Sequence, residues 1–527
     1  MKKNMICKKI ASVILAGAIV LCATACGTGA AEGTPADEGA AKQEQGQASE
    51  EKEEKEEKGQ APGEIEKIVV PYMLTMNAAE ERDKVQDAIN EMTKEKLGVE
   101  VELLCIDFAS WSDQLNLLLT DGGVDLFNCC FMSPMSSYAD SGAVAELDGL
   151  LDEYGQGIKD CLGDYIESGR VGGSIYGLPK VDAYSNRPCV VMDAEICDEL
   201  GITPDDIHNF SDLTNVALKV KEAYPELAIF PTGTNGDFLG PIGFDPLGTG
   251  GNNIFGGLIL ADNNLKVVNV FETEQFEEMI GYTNEWMEKG LFVNDPMNSQ
   301  DGAVAYLSNK QSFCYLGGGF DPAVAAQVQE NNCGMRLYGA ELASVNYATT
   351  DSVSGMMWCI SSLSEHKEAA MKFLNALYTD ADLANLVCSG MEGVHYVKND
   401  DGTVNFAEGL DAFTTGWPSG MGTFWPNITI TYPWEPNKSD YYESWIASNE
   451  NATLSPAMGF TFDPSNVTDE ITACTNVVSQ YYNTIVLGLD DTQTLLSQFR
   501  KELHDVGIDA IIEEKQAQLD AWAANKQ

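Results

Sequence analysis

The sequence predicts an α/β fold, and three observations carry that expectation. Segments rich in β-branched residues alternate with segments whose apolar residues recur at helical spacing, from "IEKIVVPYML" onward. Glycine follows several of the helical segments, as at Gly98, Gly122 and Gly390. Beyond a polar N-terminal stretch the chain still has about 460 residues, enough for two or three domains.

Taken in order, "IEKIVVPYML" is a strand. "NAAEERDKVQDAINEMTKEKLG" puts Val85, Ile89 and Met92 on one helical face and stops at Gly98. "VEVELLCID" is a second strand, "WSDQLNLLLTDGG" a short helix, and "VDLFNCCF" a third, buried strand. Such alternation predicts a mostly parallel sheet. "GGSIYGLPKVDAY" leaves this layer through Gly177 and Pro179, as a crossover would. "RPCVVMDAEICDELGI" opens a new strand and helix, and "LKVKEAYPELAIFPTG" continues the alternation. "GGLILADNNLKVVNVF" predicts two short strands about an Asp-Asn-Asn turn, and an amphipathic helix follows. "HKEAAMKFLNALYTDADLANLVCSG" predicts two helices broken near Thr379 and stopped at Gly390. From Asp469 to the end the pattern is a set of amphipathic helices.

The N-terminus has a different character. Lys2, Lys3, Lys8 and Lys9 precede an uncharged run of 14 residues, Ile10 to Ala23. A membrane-spanning helix needs roughly 20 residues, so this run fits a secretory signal better. Ala23, Thr24 and Ala25 before Cys26, with Gly27 after it, resemble the bacterial lipobox, although Ala23 stands where that motif usually has Leu. The resemblance implies a signal peptide over residues 1–25 and an acylated Cys26 at the mature amino terminus, with two or three acyl chains for stable anchoring. Ordinary cleavage at Ala-x-Ala and an uncleaved anchor are the alternatives. Residues 27–63 contain no aromatic residue and no Val, Leu or Ile, so 26–63 reads as a lipidated cysteine with a disordered acidic linker.

Composition removes several classes of function. The net charge is −50, and residues 27–63 contribute only ten acidic residues against four lysines. The folded part is therefore acidic, which excludes nucleic acid as a partner and disfavours a strongly anionic ligand. Eleven cysteines follow Cys26, an odd number, many in apolar contexts such as "MMWCISS". They read as buried thiols, since a chain of this size needs no disulfide scaffold. The four histidines (208, 366, 395 and 504) have no His or Cys at zinc-ligand spacing, so neither a metal nor another cofactor is expected.

At this point a family resemblance emerges. "DQLNLLLTDGGVDLF", "IYGLPK", "YTNEWMEKGLF" and "AAMKFLNALYTDADLANL" occur in the same order in extracellular solute-binding lipoproteins of ABC importers, the sugar-binding type. From "GMEGVHYV" through "FTFDPSNVTDEI" to "IIEEKQAQLDAW" the chain is similar to the branch with a long C-terminal region. The resemblance spans nearly all of residues 65–527. It implies a periplasmic-binding-protein-like fold of type II: two α/β lobes, a hinge, and a ligand cleft between them. The expected lobes are 64–180 plus about 346–390, and 181–345 plus 391–527. It further implies a monomer tethered by lipid to the outer face of the cell membrane, delivering a solute, an oligosaccharide, to an ABC importer permease.

A sugar cleft needs flat apolar faces and fixed hydrogen-bonding groups. Eight aromatic residues lie between Trp417 and Trp445, interleaved with four prolines, and Trp417, Trp425 and Trp434 are the candidate platforms; packing of an irregular segment is the alternative. "CYLGGGFDP" reads as a strand entering a glycine-rich turn that presents Phe320 and Asp321, without the pattern of a phosphate loop. Phe131 follows a strand, where ligands of open α/β sheets sit. Tyr184, Asn186 and Arg187 follow the crossover and line either the cleft or the hinge. Glu392 and His395 suggest an acid–base pair, but Gly390 and Gly393 predict a turn, so Glu392 is read as an interlobe contact. A cell-surface glycoside hydrolase and a peptide-binding surface lipoprotein are the competing functions, and no GxSxG or HExxH signature favours an enzyme.

Overall fold

The computed structural model describes residues 65–526 except 75–79, 131–132, 186, 232–241, 249–253, 298–301, 320, 343–345 and 418–423. The expected signal segment, Cys26 and the linker lie outside the described residues. Among the described residues no helix is long and apolar enough to cross a membrane.

The first sheet starts from the strand Glu66–Leu74, which pairs in parallel with Val99–Asp107. The helix between them, Arg82–Leu97, buries Val85 and Ile89 and stops at Gly98, whose φ of 69° few other residues adopt. This helix also closes the outer edge of the second strand. Asn90 Nδ2 donates to Val101 O at 3.0 Å, while Val101 N donates to Asn90 Oδ1 at 2.6 Å. Gln86 Oε1 accepts from Leu103 N at 2.7 Å, and Thr93 Oγ1 donates to Val99 O at 2.8 Å. Side chains of one helix thus satisfy edge groups that would otherwise invite pairing with another chain. On the other side, Asp125 N donates to Val69 O at 3.0 Å, and Asp125 Oδ2 accepts from Val69 N at 2.8 Å. That docks the strand Leu126–Cys130 beside the first. Met356–Ile360 then runs antiparallel between Leu126–Cys130 and Leu178–Pro179.

The second sheet has Arg187–Asp193 at its centre, antiparallel to both Cys314–Gly319 and Leu337–Glu341. A mostly parallel sheet was expected, but within these two sheets the hydrogen-bonded strands pair in parallel only in the first strand pair. The reason is connectivity. Cys314–Gly319 and Leu337–Glu341 keep one direction through the helix Pro322–Cys333, but Arg187–Asp193 lies between them in the opposite direction, and Met356–Ile360 docks antiparallel after a long excursion of the chain. "CYLGGG" is likewise a strand as far as Gly319. The hairpin around Asn263 shrinks to a single bridge, Gly257 to Val268. The two helices of "HKEAAMKFLNALYTDADLANL" form as expected, Lys367–Thr379 and Ala381–Ser389.

Two large hydrophobic cores result. The first gathers Ile68, Val70, Leu126, Trp358 and Leu374, together with Trp417 and Trp425. The second gathers Val190, Phe230, Trp286 and Phe313 with Cys474, Ile485, Phe499 and Leu519. The last four belong to the C-terminal helices Thr468–Val486, Thr492–Val506 and Ile508–Lys526. Hence the segment around Trp417 and Trp425 belongs with the first core, whereas the expected boundary assigned everything after Gly390 to the second lobe. Apolar area decides this: both indoles are at most 1% exposed, and their rings pack on Tyr72 and Trp358 of the first core.

Candidate functional site

Among the described residues three stretches of chain join the two cores: 182–185, 346–348 and 453–459. Tyr184, Ala348, Val353 and Met458 from these stretches and their flanks form one small hydrophobic cluster. Tyr347 and Ala348 pair in parallel with Thr453 and Leu454. The helix Tyr441–Glu450 binds the crossings together. Asn449 accepts from Tyr184 N at 2.9 Å and donates to Asp182 O at 2.7 Å. Asn346 Nδ2 donates to Ser448 O at 2.9 Å, and the hydroxyls of Ser185 and Ser448 are 2.7 Å apart. Short parallel segments held by a few amides can bend together, which is how a hinge absorbs lobe movement.

Both sheets direct strand ends at these crossings. From the first lobe come Leu74, Cys130 and Met356, and from the second Arg187, Gly319 and Glu341. Lys180, 5% exposed, donates to Asp182 Oδ2 at 2.5 Å. Arg187 lies 3.7 Å from Glu341 Oε2, and its Nε has no hydrogen-bond partner among the described residues. Each cation beside the crossings is thus balanced by a carboxylate. Such a site offers directional donors and acceptors with little net charge, suited to a neutral polar ligand.

The candidate residues from the sequence divide into three groups. Cys26, Phe131, Asn186 and Phe320 lie outside the described residues. Tyr184 is 2% exposed, donates its hydroxyl to Lys180 O at 2.9 Å and packs on Tyr165, so it is a hinge-packing residue. Asp321 is committed to the helix Pro322–Cys333, accepting from Ala323 N at 2.8 Å and Val324 N at 3.1 Å as its N-cap. Gly339 makes this possible, because a Cβ there would stand 1.8 Å from Pro322 O.

The aromatic candidates are not brought together on one surface. Trp425 stacks on Trp358, centroids 5.4 Å apart, and on Tyr72 at 6.2 Å; Tyr72 also meets Trp417 at 5.3 Å. Trp417 Nε1 donates to Val387 O and Trp358 Nε1 to Phe424 O. Their faces are used up inside the first core. Trp434 is half-buried instead, donating to Ser389 Oγ at 3.1 Å and packing on Phe406 at 4.7 Å. Glu392 is exposed and pairs with Lys398 at 2.9 Å, while His395 is buried with Nδ1 accepting from Met391 N at 2.8 Å. Burial lowers the His395 pKa, which favours the neutral imidazole. Neither side chain is directed at the other, and no acid–base pair forms.

Sequence reasoning passed over Lys180 and Glu341. Lys180 pairs locally with Asp182, whereas Glu341 meets Arg187 only because the fold brings their strands together, and local sequence carries no signal of that pairing. Among the described residues no group of three or more His, Cys, Asp or Glu could hold a metal ion. A depression of about 630 Å³ is lined by Thr120, Ser133, Ser137, Tyr138 and Leu363, all of the first lobe, so it does not lie between the lobes.

Comparison with known proteins places this architecture. A carbohydrate ABC transporter substrate-binding protein of Streptococcus pneumoniae serotype 4 is 24% identical over 465 residues, 84% of this chain and 89% of that protein. The N-glycan transport solute binding protein NgtS of Streptococcus pneumoniae matches with a TM-score of 0.73 at 22% identity, covering 88% of this chain and 100% of that one. NgtS in complex with Man5GlcNAc gives 0.57 at 22% identity, covering 88% and 99%. An HMO-binding ABC-transporter-associated solute binding protein of Bifidobacterium longum infantis gives 0.57 at 16% identity, covering 87% and 99%. These likenesses establish the type II periplasmic-binding fold, two lobes with a hinge. Residues 456–524 match a domain of unknown function, DUF3502. Residues 78–384, more than half of the chain, match the bacterial extracellular solute-binding protein family, and the chain belongs to it.

Proposed function

We propose that the protein captures an oligosaccharide outside the cell, closes its lobes around it, and delivers it to an ABC importer. The observation that carries this reading is a likeness along nearly the whole chain to glycan-binding receptors of the same two-lobe fold. The balanced charges of Lys180 with Asp182 and Arg187 with Glu341 support a neutral, hydroxyl-bearing ligand. The two NgtS structures support the hinge. At the same identity the fit is 0.73 for one and 0.57 for the Man5GlcNAc complex, so this chain fits better on the one described without a glycan.

In this reading the first lobe comprises about 65–181 with 349–437, and the second 187–342 with 460–526. Phe131, Asn186, Phe320 and Trp434 are the ligand-contact candidates that remain, and Arg187 joins them. Cys26 carries the lipid anchor, and the receptor acts as a monomer at the outer face of the cell membrane without chemical change to its ligand. The test is calorimetry of the purified chain with Man5GlcNAc and human-milk oligosaccharides, with product analysis of each mixture. The reading requires saturable one-to-one binding and recovery of intact glycan. Cleavage products, or binding of peptides alone, would overturn it.

A further inference from the structure

We propose that the C-terminal segment 456–524, whose family has no assigned function, anchors the interlobe hinge of this receptor, with Lys515 as its positioning residue. The proposal rests on the receptor reading above. Its premise is a closed circuit of contacts that begins and ends in this segment.

The segment starts inside the hinge. Thr350 Oγ1 donates to Ala457 O at 3.2 Å and accepts from Gly459 N at 2.9 Å. Gly459 has a φ of 93°, and a Cβ there would stand 2.8 Å from Glu167 O of the first lobe. At the residue just before the segment, Ser455 N donates to Ala348 O at 2.8 Å. Ser455 Oγ donates to Asp245 Oδ2, and Asp245 Oδ1 accepts from Leu247 N at 2.9 Å.

The segment's last helix, Ile508–Lys526, returns to the same place. Lys515, with no exposed surface, donates to Pro246 O at 2.9 Å and to Gly256 O at 2.7 Å and faces the Phe462 ring at 5.1 Å. Its ammonium therefore holds both ends of the 246–256 stretch, directly beside the carboxylate that holds the hinge strand. A Cβ at Gly256, φ 86°, would stand 3.0 Å from Ile512 Cγ1, so the Ile512 side chain of this helix packs directly on the Gly256 backbone.

A buried ammonium is a poor choice for packing alone. Desolvation brings Lys515 down to about 7, with Asp245 opposing the shift, and burial raises Asp245. An apolar residue of similar volume would fill the site at less cost. What lysine adds is a directional grip on two carbonyls, one of them on the residue next to Asp245, whose carboxylate is bonded to Ser455.

The experiment compares full-length protein, Lys515→Met and Ile511→Ala by hydrogen exchange at 20 °C, where all three are folded. Ile511 is a core residue of the same helix with no part in the circuit, so it reports destabilisation alone. We expect Lys515→Met to speed exchange of the Thr453 and Ser455 amides about tenfold, while Ile511→Ala leaves them near wild type even if its melting temperature falls as far. A second arm measures Man5GlcNAc affinity, expected to weaken only in Lys515→Met. Equal exchange at the hinge amides in the two variants, or unchanged exchange in Lys515→Met, would overturn the proposal. Absence of glycan binding in every form would refute the sugar reading, whereas the exchange arm still decides whether the anchor exists.

Discussion

The two lobes build their cores by different routes. The first joins a parallel strand pair spanned by one helix to a strand and two helices from 356–389, and its core is closed by an aromatic column of Tyr72, Trp358, Trp417 and Trp425. The second takes its antiparallel strands from residues 187–193, 314–319 and 337–341 and fills the space behind them with helices from the far C-terminus. The first lobe has its late-arriving apolar residues as a seal. The second depends on its late-arriving segment for a whole layer.

Truncation is the severest way to test this difference. A chain ending at Leu454 should lose the second lobe's cooperative melting transition and bind hydrophobic dye, because Ile485, Phe499 and Leu519 leave their core. Retention of two native-like transitions would show that the C-terminal helices are dispensable.

Next in size, Trp425→Ala should cost about 3–5 kcal/mol by denaturant titration, from the cavity left between Trp358 and Tyr72. Trp434→Ala, at the half-buried edge, should cost about 1 kcal/mol. Equal losses would mean that the column is not the first lobe's seal.

Gly339→Ala should cost about 1–3 kcal/mol in the second lobe, since its Cβ would collide with Pro322 O and dislodge the helix capped by Asp321. An alanine variant as stable as wild type would contradict that close approach.

The smallest effect concerns pH. His504 bridges Asp509 at 2.8 Å and Glu272 at 2.7 Å, and hydrogen bonds to these carboxylates raise its pKa. A raised folded-state pKa adds stability below the unfolded value of about 6.5, and that stability fades as pH rises through the folded pKa. The difference in melting temperature between wild type and His504→Gln should therefore be larger at pH 5.5 than at pH 8.5. A pH-independent difference would mean that the bridge carries no linkage.

How much of this was legible in the sequence follows the same divide. Helix Arg82–Leu97 with its glycine stop, and the helices Lys367–Thr379 and Ala381–Ser389, follow from local periodicity. Strand direction did not follow, because it depends on where a returning chain docks. The site was less legible still. Trp417, Trp425 and Trp434 look alike in sequence, yet two are sealed in a core and one lies at an edge, a distinction made by Trp358 and Tyr72 far along the chain. Asp321 reads equally as a ligand group or a cap until Gly339 is seen beneath Pro322. Tyr184 was placed at the crossing by sequence, and packing made it part of the hinge.

The central claim is that these lobes close on a glycan and leave it intact. Small-angle scattering of the purified chain with and without saturating Man5GlcNAc, followed by mass analysis of the recovered sugar, tests it most directly. Lobe closure without chemistry should give a smaller radius of gyration with glycan and full recovery of unmodified Man5GlcNAc. Saturation by calorimetry with an unchanged radius, or recovery of trimmed sugar, would contradict it.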